Sequence, residues 1–444
     1  MASYEPGSCD MMVLDRFIDA VLEQRPNATM AKGVPIDFPG SYRQLGEEHR
    51  NLFDGTFPTP VAVLNGEALS DNIAWMTRYL GHMQVSIAPH GKTSMSPQLF
   101  KRQLAGGAWG ITAASVQQAA FFARAGIRRI LIANEVTAAA DISSLVGMVA
   151  RIPDLEIFVL ADNARNVEEL SERACAAHAR LNVLLELGVE HARSGVRKDE
   201  YAIGLAHRIH GLPGLALAGI EAYEGVIKRD TVEENVRDVT ALLRRVLFVA
   251  NACEKSSLWD CAEVLLTAGG TDYFDLCAHY LRQFASALPI RVVIRSGCYI
   301  TSDDGDYAEA IANLRRRLER NGIRCGSLRA AIEVWGSVIS MPEPGLALVN
   351  IGKRDVSHDW SKPRAVKWRA RGDGAPRSLE ADEWPVTGLN DQHAFLSVPE
   401  NSPLQVGDLV GFGINHPCTT FDKWSTLLLV DSSYEVSETI RTFF

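Results

Sequence analysis

One lysine in the sequence stands where a nucleophile could act. Lys92 lies in the segment 88–93 (APHGKT), directly after a buried apolar run. A lysine at the end of a barrel strand points into the barrel mouth, and its amine can form a Schiff base with a carbonyl compound. A solvated loop lysine is the alternative interpretation of this residue taken alone.

Two small-residue turns could bind a phosphate. Gly269, Gly270 and Thr271 follow the apolar run 263–267, the seventh predicted strand. Gly297 and Cys298 follow the run 291–295, the eighth. Backbone N–H groups of such turns, with a Thr hydroxyl, can bind a phosphate. A tight turn without a ligand would explain either motif alone. However, the loops after strands 7 and 8 of a (β/α)8 barrel are a common phosphate site. Together they predict a phosphorylated ligand.

Three further residues follow predicted strands. Arg193 comes after the fifth strand and Tyr223 ends the sixth, so the two could flank an aromatic cofactor. Arg295 stands just before the second small-residue turn. An arginine stays protonated at all ordinary pH values, so Arg295 is expected to be a permanent cation at this strand end.

A possible metal motif lies near the C-terminus. His416 and Cys418 are two residues apart in a segment that we expect to be extended, so their side chains should point to the same side. Both are good zinc ligands, and two protein ligands would leave positions open for water or substrate. The alternative is a buried cysteine beside a hydrogen-bonded histidine.

The elements that must position these residues alternate regularly. Eight apolar runs occur at a mean spacing of about 29 residues, close to the ~30 residues of a strand–helix–strand unit. They are 85–89, 109–113, 129–134, 156–162, 181–187, 215–222, 263–267 and 291–295. Amphipathic segments such as 116–126, 163–179 and 231–251 separate them and predict helices. Eight even units favour a (β/α)8 barrel over a doubly wound sheet.

The texture of the sequence changes after about residue 325. Alternating and short apolar runs at 332–339, 346–349, 409–413 and 426–430 predict a mostly antiparallel β domain. We therefore expect three parts: a segment 1–57 that packs on the β domain, a barrel over 58–325 and the β domain over 326–444.

Composition excludes several classes of protein. The 444 residues carry 45 basic and 54 acidic side chains, so the basic surface of a nucleic-acid-binding domain is not expected. No apolar run reaches the ~18 residues of a membrane span, and residues 1–17 lack the order of a signal peptide. Eight scattered cysteines without a CxxC pair indicate a reducing, cytoplasmic setting.

An ordered set of motifs resembles a known family. PHGKT (89–93), LELGVEHARSGV (185–196), EAYEG (221–225), TAGGT (267–271), RSGCY (295–299) and HPCTTFD (416–422) occur in this order. They resemble the fold-type III pyridoxal-phosphate (PLP) enzymes of the D-threonine aldolase and D-serine dehydratase group. The resemblance runs from about residue 58 to the C-terminus. It implies an alanine-racemase-like (β/α)8 TIM barrel with a C-terminal, mostly antiparallel β domain.

The resemblance also assigns roles to the residues above. It implies that Lys92 is the Schiff-base lysine and that Arg193 lies near the phenolic oxygen of PLP. It implies that the turns at 269–271 and 297–298 form the phosphate cradle. Arg295 matches the racemase-like arrangement and is expected to face the pyridine nitrogen. Dehydratase-type members show His-x-Cys, whereas well-known aldolase-type members carry a carboxylate in the cysteine position.

The sequence therefore predicts a PLP- and zinc-dependent dehydratase, an ammonia-lyase, that acts on a D-configured β-hydroxy amino acid such as D-serine. Another divalent metal is possible. A D-3-hydroxy amino acid aldolase is the nearest alternative, and a non-catalytic PLP-binding protein is an alternative of another class. The expected partner is a small D-amino acid, with no nucleic acid or membrane, and the expected assembly is a homodimer whose active site forms where the β domain covers the barrel mouth.

Overall fold

The chain folds into two compact units in a computed structural model that describes residues 9–27, 31–320, 322–324, 326–372, 374–380 and 382–444. The first unit comprises the chain up to Leu14 together with Thr77–Lys92 and Phe100–Gly297. The second comprises Asp15–Met76, Thr93–Leu99 and Cys298–Phe444.

The elements have the following bounds. The helices are α1 (Met11–Leu22), α2 (Tyr42–Glu47), α3 (Gly66–Met83), α4 (Pro97–Ala105), α5 (Val116–Arg124), α6 (Ala139–Arg151), α7 (Ala164–Ala176), α8 (Asp199–Gly211), α9 (Val232–Lys255), α10 (Phe274–Leu281), α11 (Asp306–Arg320) and α12 (Cys418–Phe421). The strands are β1 (Val61–Asn65), β2 (Ser86–Ile87), β3 (Ile111–Ala113), β4 (Arg129–Glu135), β5 (Glu156–Ala161), β6 (Leu181–Leu187), β7 (Leu215–Ala222), β8 (Val264–Thr267), β9 (Ile290–Ile294), β10 (Ile332–Glu343), β11 (Leu346–Val349), β12 (Arg364–Arg369), β13 (Arg377–Ser378), β14 (Val386–Leu389), β15 (Ala394–Ser397), β16 (Leu409–Gly413), β17 (Thr426–Val430) and β18 (Val436–Arg441).

The first unit is a closed parallel barrel. Its strands pair in the order β2-β9-β8-β7-β6-β5-β4-β3, each parallel to its neighbour. A parallel bridge between His90 and Thr112 joins the two ends of this order. There the Thr112 N–H donates to the Pro89 carbonyl at 2.9 Å, and the Trp109 N–H donates to the Ile87 carbonyl at 2.8 Å. The eight predicted strands and the barrel are confirmed.

The barrel interior is filled by apolar side chains. Strand β7 is buried along all eight residues, as expected for a strand covered on both faces. One buried cluster takes side chains from around the barrel: Ala88, Trp109, Leu131, Phe158, Leu160, Leu184, Ala218, Leu265 and Val293. A packed interior leaves the strand ends as the place for polar chemistry.

The outer helices begin at side chains that cap them. Asn163 accepts a hydrogen bond from the Asn166 N–H at the start of α7. Thr231 and Glu234 form a capping box at the start of α9. Both helices begin within one residue of the predicted start, because polar caps follow a strand directly in the sequence.

The second unit contains a mostly antiparallel sheet. Its main path is β13-β12-β16-β10-β1-β17-β18, with β11, β14 and β15 attached through β10. All pairs are antiparallel except β1 with β17. The predicted strands at 332, 346, 409 and 426 are present, although β10 continues to Glu343 rather than ending at 339.

The division into units differs from the predicted boundaries at 57/58 and 325/326. Strand β1 pairs with β10 and β17, so it belongs to the second sheet and not to the barrel. Residues 298–320, expected in the barrel domain, also belong to the second unit. An apolar run such as VAVLN fits either sheet, and only its pairing partners decide between them.

Most of the N-terminal segment expected over 1–57 belongs to the second unit. Residues 1–8 and 28–30 of that segment lie outside the described residues. Leu45, Leu52 and Phe57 are buried in one cluster with Trp335 and Leu428. Residues 9–14 instead join the barrel unit, where the Asp10 N–H donates to the Gly126 carbonyl at 2.7 Å.

No helix within the described part of the chain is both long enough and apolar enough to span a bilayer.

Candidate functional site

Lys92 stands on a tight turn that begins four residues after the end of β2. The turn Gly91–Thr93 is a 3-10 helix. A Cβ on Gly91 would lie 2.6 Å from Phe122 Cζ and 2.8 Å from Ile111 Cγ2, so only glycine lets the turn pack this closely. Lys92 is exposed and has no hydrogen-bond or ion-pair partner among the described residues. The amine is therefore accessible to a ligand.

His90, which is half-buried, lies two positions before this lysine. Its backbone N–H donates to the Arg295 carbonyl at 3.1 Å, which ties the end of β2 to the end of β9. Its Nδ1 atom is buried without a hydrogen-bond partner. Burial and the nearby Lys92 cation hold the pKa of His90 well below its usual range. The ring is therefore neutral, with a polar atom left to interact with a ligand.

The first glycine turn already holds an anion of the protein. The Glu224 carboxylate is buried and accepts from the Gly269 N–H at 3.0 Å and from the Gly270 N–H at 2.7 Å. Gly269 has a φ of +101°, which a glycine adopts without strain. Two of the backbone donors predicted for phosphate are thus paired with a side chain in this structure.

Other donors of the two turns remain unpaired. The N–H groups of Thr271, Ser296 and Gly297 have no acceptor within the described chain. Ser296 and Gly297 are buried, and a buried N–H without an acceptor is unfavourable unless a ligand or water satisfies it. These three donors fit a phosphate better than those of Gly269 and Gly270.

Arg193 and Tyr223, which follow successive barrel strands, are in contact with each other, and their role beside a cofactor stays a prediction. The Arg193 guanidinium carbon lies 4.6 Å from the centre of the Tyr223 ring, a cation–π contact. Burial and the nearby Glu224 raise the pKa of Tyr223 to about 12. A Cβ on Gly270 would lie 2.7 Å from Tyr223 Cε2, so the glycine turn and the tyrosine ring fit against each other.

Arg295 is buried in an ion pair rather than free. It donates to the Glu221 carboxylate, to Thr267 Oγ1 at 2.7 Å and to the Ala222 carbonyl at 3.2 Å. Burial raises the pKa of Glu221 to about 7, although the Arg295 cation opposes that shift. The role of Arg295 toward a pyridine nitrogen stays a prediction.

Three carboxylates cluster at the ends of neighbouring barrel strands. Single oxygens of Glu135, Asp162 and Glu186 lie within 4.8 Å of one another. Burial, with a hydrogen bond to Glu135 and the nearby Glu221, raises the pKa of Glu186 to about 10. Ser194 Oγ donates to Glu186 at 3.0 Å. A protonated Glu186 that shares its proton with Glu135 explains the cluster without a metal ion.

The residues of the barrel mouth therefore fit an aldehyde cofactor with an aromatic ring and a phosphate. Lys92 supplies an accessible amine, and the Arg193–Tyr223 pair supplies a flat cationic and aromatic surface. Thr271, Ser296 and Gly297 supply unpaired backbone donors, and His90 supplies an unpaired buried nitrogen.

The metal motif has a different local shape from the one predicted. Pro417 has helical dihedral angles (φ −55°, ψ −44°), and helix α12 begins at Cys418. The segment is thus a turn into a helix and not an extended strand. Burial alone would lower the pKa of His416, but the neighbouring Cys418 and Asp359 outweigh that effect and raise it.

His416 is held in a fixed orientation. Its Nδ1 lies 2.5 Å from Asp359 Oδ2, and Thr419 Oγ1 donates to Asp359 Oδ1 at 2.9 Å. The Trp360 ring stacks on the imidazole at 4.0 Å with an angle of 6° between the planes. A carboxylate on Nδ1 leaves Nε2 free to bind a metal, as is usual for metal-ligating histidines.

Cys418 lies in a cluster of polar groups. Its Sγ is 3.7 Å from Cys298 Sγ and 3.3 Å from Thr93 Oγ1. Hydrogen bonding to Cys298, together with His416 and Thr93, holds the pKa of Cys418 well below its usual range despite burial. A thiolate beside an oriented imidazole can bind a soft divalent metal such as zinc.

A cavity of about 780 Å³ opens at the opposite, amino-terminal end of the barrel strands. Its lining includes Ser86, Ile290 and Arg291 but none of the predicted site residues. We assign the site to the carboxyl ends because the accessible amine and the unpaired donors are there.

Sequence reasoning missed several of these residues. Glu221 and Glu224 lay within the EAYEG motif, but nothing in it showed which groups they would pair with. His90 received no role in the sequence analysis, although it lies two positions before Lys92. Asp359 lies 57 positions before His416, and Cys298 lies 120 positions before Cys418. No local pattern reports such distant contacts.

Two family models match the chain. "Alanine racemase, N-terminal domain" matches residues 64–267, and "Putative serine dehydratase domain" matches residues 331–430. The first covers most of the barrel strands, and the second covers the strands that lead to and follow the His416–Cys418 motif.

The chain is also similar to characterised proteins along most of its length. A D-threonine aldolase of Arthrobacter sp. is 28% identical over 84% of this chain and 89% of its own. A D-threo-3-hydroxyaspartate dehydratase of Delftia sp. (strain HT23) is 26% identical over 82% of this chain and 92% of its own.

Among solved structures, the D-threonine aldolase from Filomicrobium marinum has a TM-score of 0.69 at 22% identity and covers 87% of this chain and 95% of its own. A cysteine-to-alanine variant of D-threo-3-hydroxyaspartate dehydratase, solved in a metal-free form, has a TM-score of 0.66 at 20% identity and covers 87% of this chain and 98% of its own. With its barrel, its mostly antiparallel second sheet and its two matching family models, the chain is similar in sequence to D-threonine aldolase and D-threo-3-hydroxyaspartate dehydratase, and it shares their fold.

Proposed function

We propose that this chain is a PLP- and zinc-dependent lyase that dehydrates a D-configured β-hydroxy amino acid, with D-serine as the model substrate. The products are a 2-oxo acid and ammonia. The observation that carries the proposal is the thiol–imidazole pair Cys418–His416 oriented by Asp359, in a chain whose barrel also presents the accessible amine of Lys92.

The barrel residues would bind the cofactor and handle the proton on Cα. Lys92 Nζ would hold PLP and accept the Cα proton of the bound substrate. Thr271, Ser296 and Gly297 would donate to the phosphate, while Arg193 and Tyr223 would flank the ring system. When bound, PLP supplies an electron sink that stabilises negative charge at Cα.

The second set of residues would make the hydroxyl a leaving group. A β-hydroxyl is a poor leaving group, and negative charge on the departing oxygen must be stabilised. His416 and Cys418 would hold a zinc ion, which supplies that stabilisation as a Lewis acid. The thiolate favours zinc over magnesium or manganese. A D-threo-3-hydroxyaspartate dehydratase that was solved as a cysteine variant in a metal-free form supports the presence of a metal.

The sequence itself connects the two sets. Lys92 is followed directly by Thr93, whose hydroxyl contacts Cys418, and Gly297 is followed directly by Cys298. Two peptide bonds thus join proposed cofactor ligands to neighbours of the proposed metal ligand. This adjacency in the sequence supports the proposal that both cofactors serve one reaction.

An aldolase on the same scaffold is the second candidate. There the β-hydroxyl loses its proton and the Cα–Cβ bond breaks, which gives glycine and an aldehyde. The aldolase relatives favour this candidate, because they cover most of the chain. The cysteine at position 418 favours the dehydratase, since the aldolase-type members that the sequence resembles carry a carboxylate there. A non-catalytic PLP-binding protein would not need the metal motif.

Product analysis separates these candidates. The purified protein, loaded with PLP and zinc, is incubated in turn with D-serine, D-threonine and D-threo-3-hydroxyaspartate. A 2-oxo acid and ammonia in equal amounts support the dehydratase, and glycine with an aldehyde supports the aldolase. L-Serine and L-threonine are the matched controls for configuration. If the protein binds PLP but converts none of the D- or L-amino acids, the non-catalytic PLP-binding protein is favoured.

We also propose that the protein is a homodimer, as the sequence resemblance implies. Light scattering of the purified protein measures the mass directly. A mass of twice 48.6 kDa is the expected result, and a mass equal to one chain would reject the proposal.

A further inference from the structure

Two cysteine thiols that lie far apart in the sequence meet beside His416. Cys298 Sγ and Cys418 Sγ are 3.7 Å apart, and neither cysteine is in a disulfide. A disulfide would require about 2.05 Å between the sulfurs. Two thiolates bound tetrahedrally to one zinc ion at about 2.3 Å each would lie about 3.8 Å apart. The observed distance matches shared coordination of a metal.

The chain holds Cys298 firmly in this place. Cys298 begins a short 3-10 helix that ends at Ile300. Its carbonyl accepts from the Ser302 N–H at 2.8 Å and from the Thr301 N–H at 3.3 Å. The next residue, Tyr299, is only 2% exposed. A fixed backbone with a buried neighbour gives the Cys298 side chain little freedom to point elsewhere.

Cys418 is the common neighbour of the other two potential ligands. It contacts Cys298 through sulfur, and it stands two positions after His416 at the start of α12, with only Pro417 between them. Its Thr93 contact can persist as a hydrogen bond to a metal-bound thiolate, because a hydroxyl can donate to sulfur. Two cysteines and one histidine with a carboxylate behind it form the ligand set of a catalytic zinc site with one open position.

We propose that Cys298 is a third protein ligand of the metal, so that the site is Cys298–His416–Cys418 with one position left for the substrate or water. The sequence placed Cys298 in the phosphate turn, and the His-x-Cys motif alone accounts for only two ligands. The proposal rests on the proposed function only for the presence of a metal. Its chemical consequence is a site that admits one substrate oxygen at a time.

The test counts the sulfur ligands. The holoenzyme is loaded with zinc, and X-ray absorption at the zinc edge gives the number of sulfur neighbours. Loading with cobalt gives a second readout, because each thiolate contributes to the sulfur-to-metal charge-transfer absorption. Wild type should show two sulfurs, and Cys298→Ser and Cys418→Ser should each show one. The cobalt band should fall by about half in either variant, in proportion to the thiolates lost. Cys261→Ser, which changes a half-buried free thiol of the barrel unit, should change neither readout.

Metal affinity provides an independent measure. Zinc binding measured by competition with a chelator should weaken by at least about tenfold in Cys298→Ser, since a lost ligand costs at least as much as a lost outer partner. One sulfur in wild type and an unchanged count in Cys298→Ser would overturn the proposal. So would a Cys298–Cys418 disulfide in protein kept under reducing conditions. These outcomes leave the proposed lyase intact, because its test reads products and not sulfur number.

Discussion

The barrel mouth and the thiol cluster differ in how the protein satisfies its own polar groups. In the barrel mouth most charges are already paired: Glu224 binds the turn of Gly269 and Gly270, and Glu221 binds Arg295. Among the described residues, the groups there without a partner include the Lys92 amine, His90 Nδ1 and the backbone N–H groups of Thr271, Ser296 and Gly297. The thiol cluster consists of Cys298, His416 and Cys418. Its two sulfur atoms are 3.7 Å apart, and Asp359 contacts Nδ1 of the histidine.

This difference indicates two kinds of preorganisation. A large organic cofactor is recognised by a few unpaired groups within a rigid, internally neutralised frame. A metal ion is recognised by the ligands themselves, whose softness and orientation select it. Removal of the metal should therefore leave PLP binding at the barrel mouth unchanged. Removal of PLP should leave metal binding at the thiol cluster unchanged.

The largest effect should come from removing the amine. Lys92→Ala should abolish the visible absorption of bound PLP and lower turnover by at least about 10⁴-fold, because both the attachment point and the proton acceptor are lost. Zinc content should not change. Lys198→Ala, which removes an exposed lysine ahead of α8, is the control. An absorption band from lysine-bound PLP in Lys92→Ala would contradict the assignment.

The next effect concerns the metal. Cys418→Ala should lose zinc and lower 2-oxo acid formation by about 10²-fold or more, since a ligand of the Lewis acid is gone. The PLP absorption band should remain. Metal analysis and absorption spectra of the same sample check both expectations, with Cys261→Ala as the control. Full activity in zinc-free protein would reject the role of the metal.

A smaller effect should follow from removing the carboxylate behind His416. Asp359→Ala should weaken zinc binding by about 10- to 100-fold, because the imidazole loses its orientation and part of its basicity. Chelator competition measures the change. Asp422→Ala, an exposed carboxylate four positions from Cys418, should bind zinc like wild type. Equal affinities for both variants would show that Asp359 does not support the metal ligand.

The smallest effect concerns stability and pH. With a pKa of about 10, Glu186 is protonated in the folded protein at pH values where the unfolded chain is already ionised. Its contribution to stability is fully present below the unfolded pKa and is lost as the pH rises toward 10. The free energy of unfolding of the metal- and PLP-free protein should therefore fall from pH 6 to 9.

Glu186→Gln should fall less steeply over the same range, because the amide cannot ionise and can still donate to Glu135. Urea unfolding at several pH values measures both curves. Glu200→Gln, an exposed position of α8, should follow wild type. Parallel curves for wild type and Glu186→Gln would show that Glu186 ionises normally.

Much of the fold could be predicted because it depends on local patterns. Each of the eight barrel strands is a short apolar run, and caps such as Asn163 and Thr231 mark where helices begin. Strand β1 was misassigned because its apolar run carries no information about its pairing partners. The helical Pro417 was missed for a related reason, since a proline fits both an extended segment and a first helical turn.

The candidate site was predictable only in part. Lys92, Arg193 and Tyr223 could be found because each follows a strand, and strand ends converge in a barrel. The occupation of the glycine turn by Glu224 and the meeting of Cys298 with Cys418 depend on contacts across 45 and 120 positions. Such contacts follow from the whole fold, so residue types and spacing did not indicate them.

One measurement tests most directly whether the barrel mouth acts at Cα and the metal acts on the hydroxyl. Protein with bound PLP, prepared with zinc and after removal of zinc, is incubated with D-serine in deuterium oxide and followed by NMR. The zinc-loaded protein should form pyruvate and ammonia. The zinc-free protein should exchange the Cα proton of D-serine for deuterium without forming pyruvate, since Lys92 acts at Cα and the metal acts on the hydroxyl. Undiminished pyruvate formation without zinc would contradict this account.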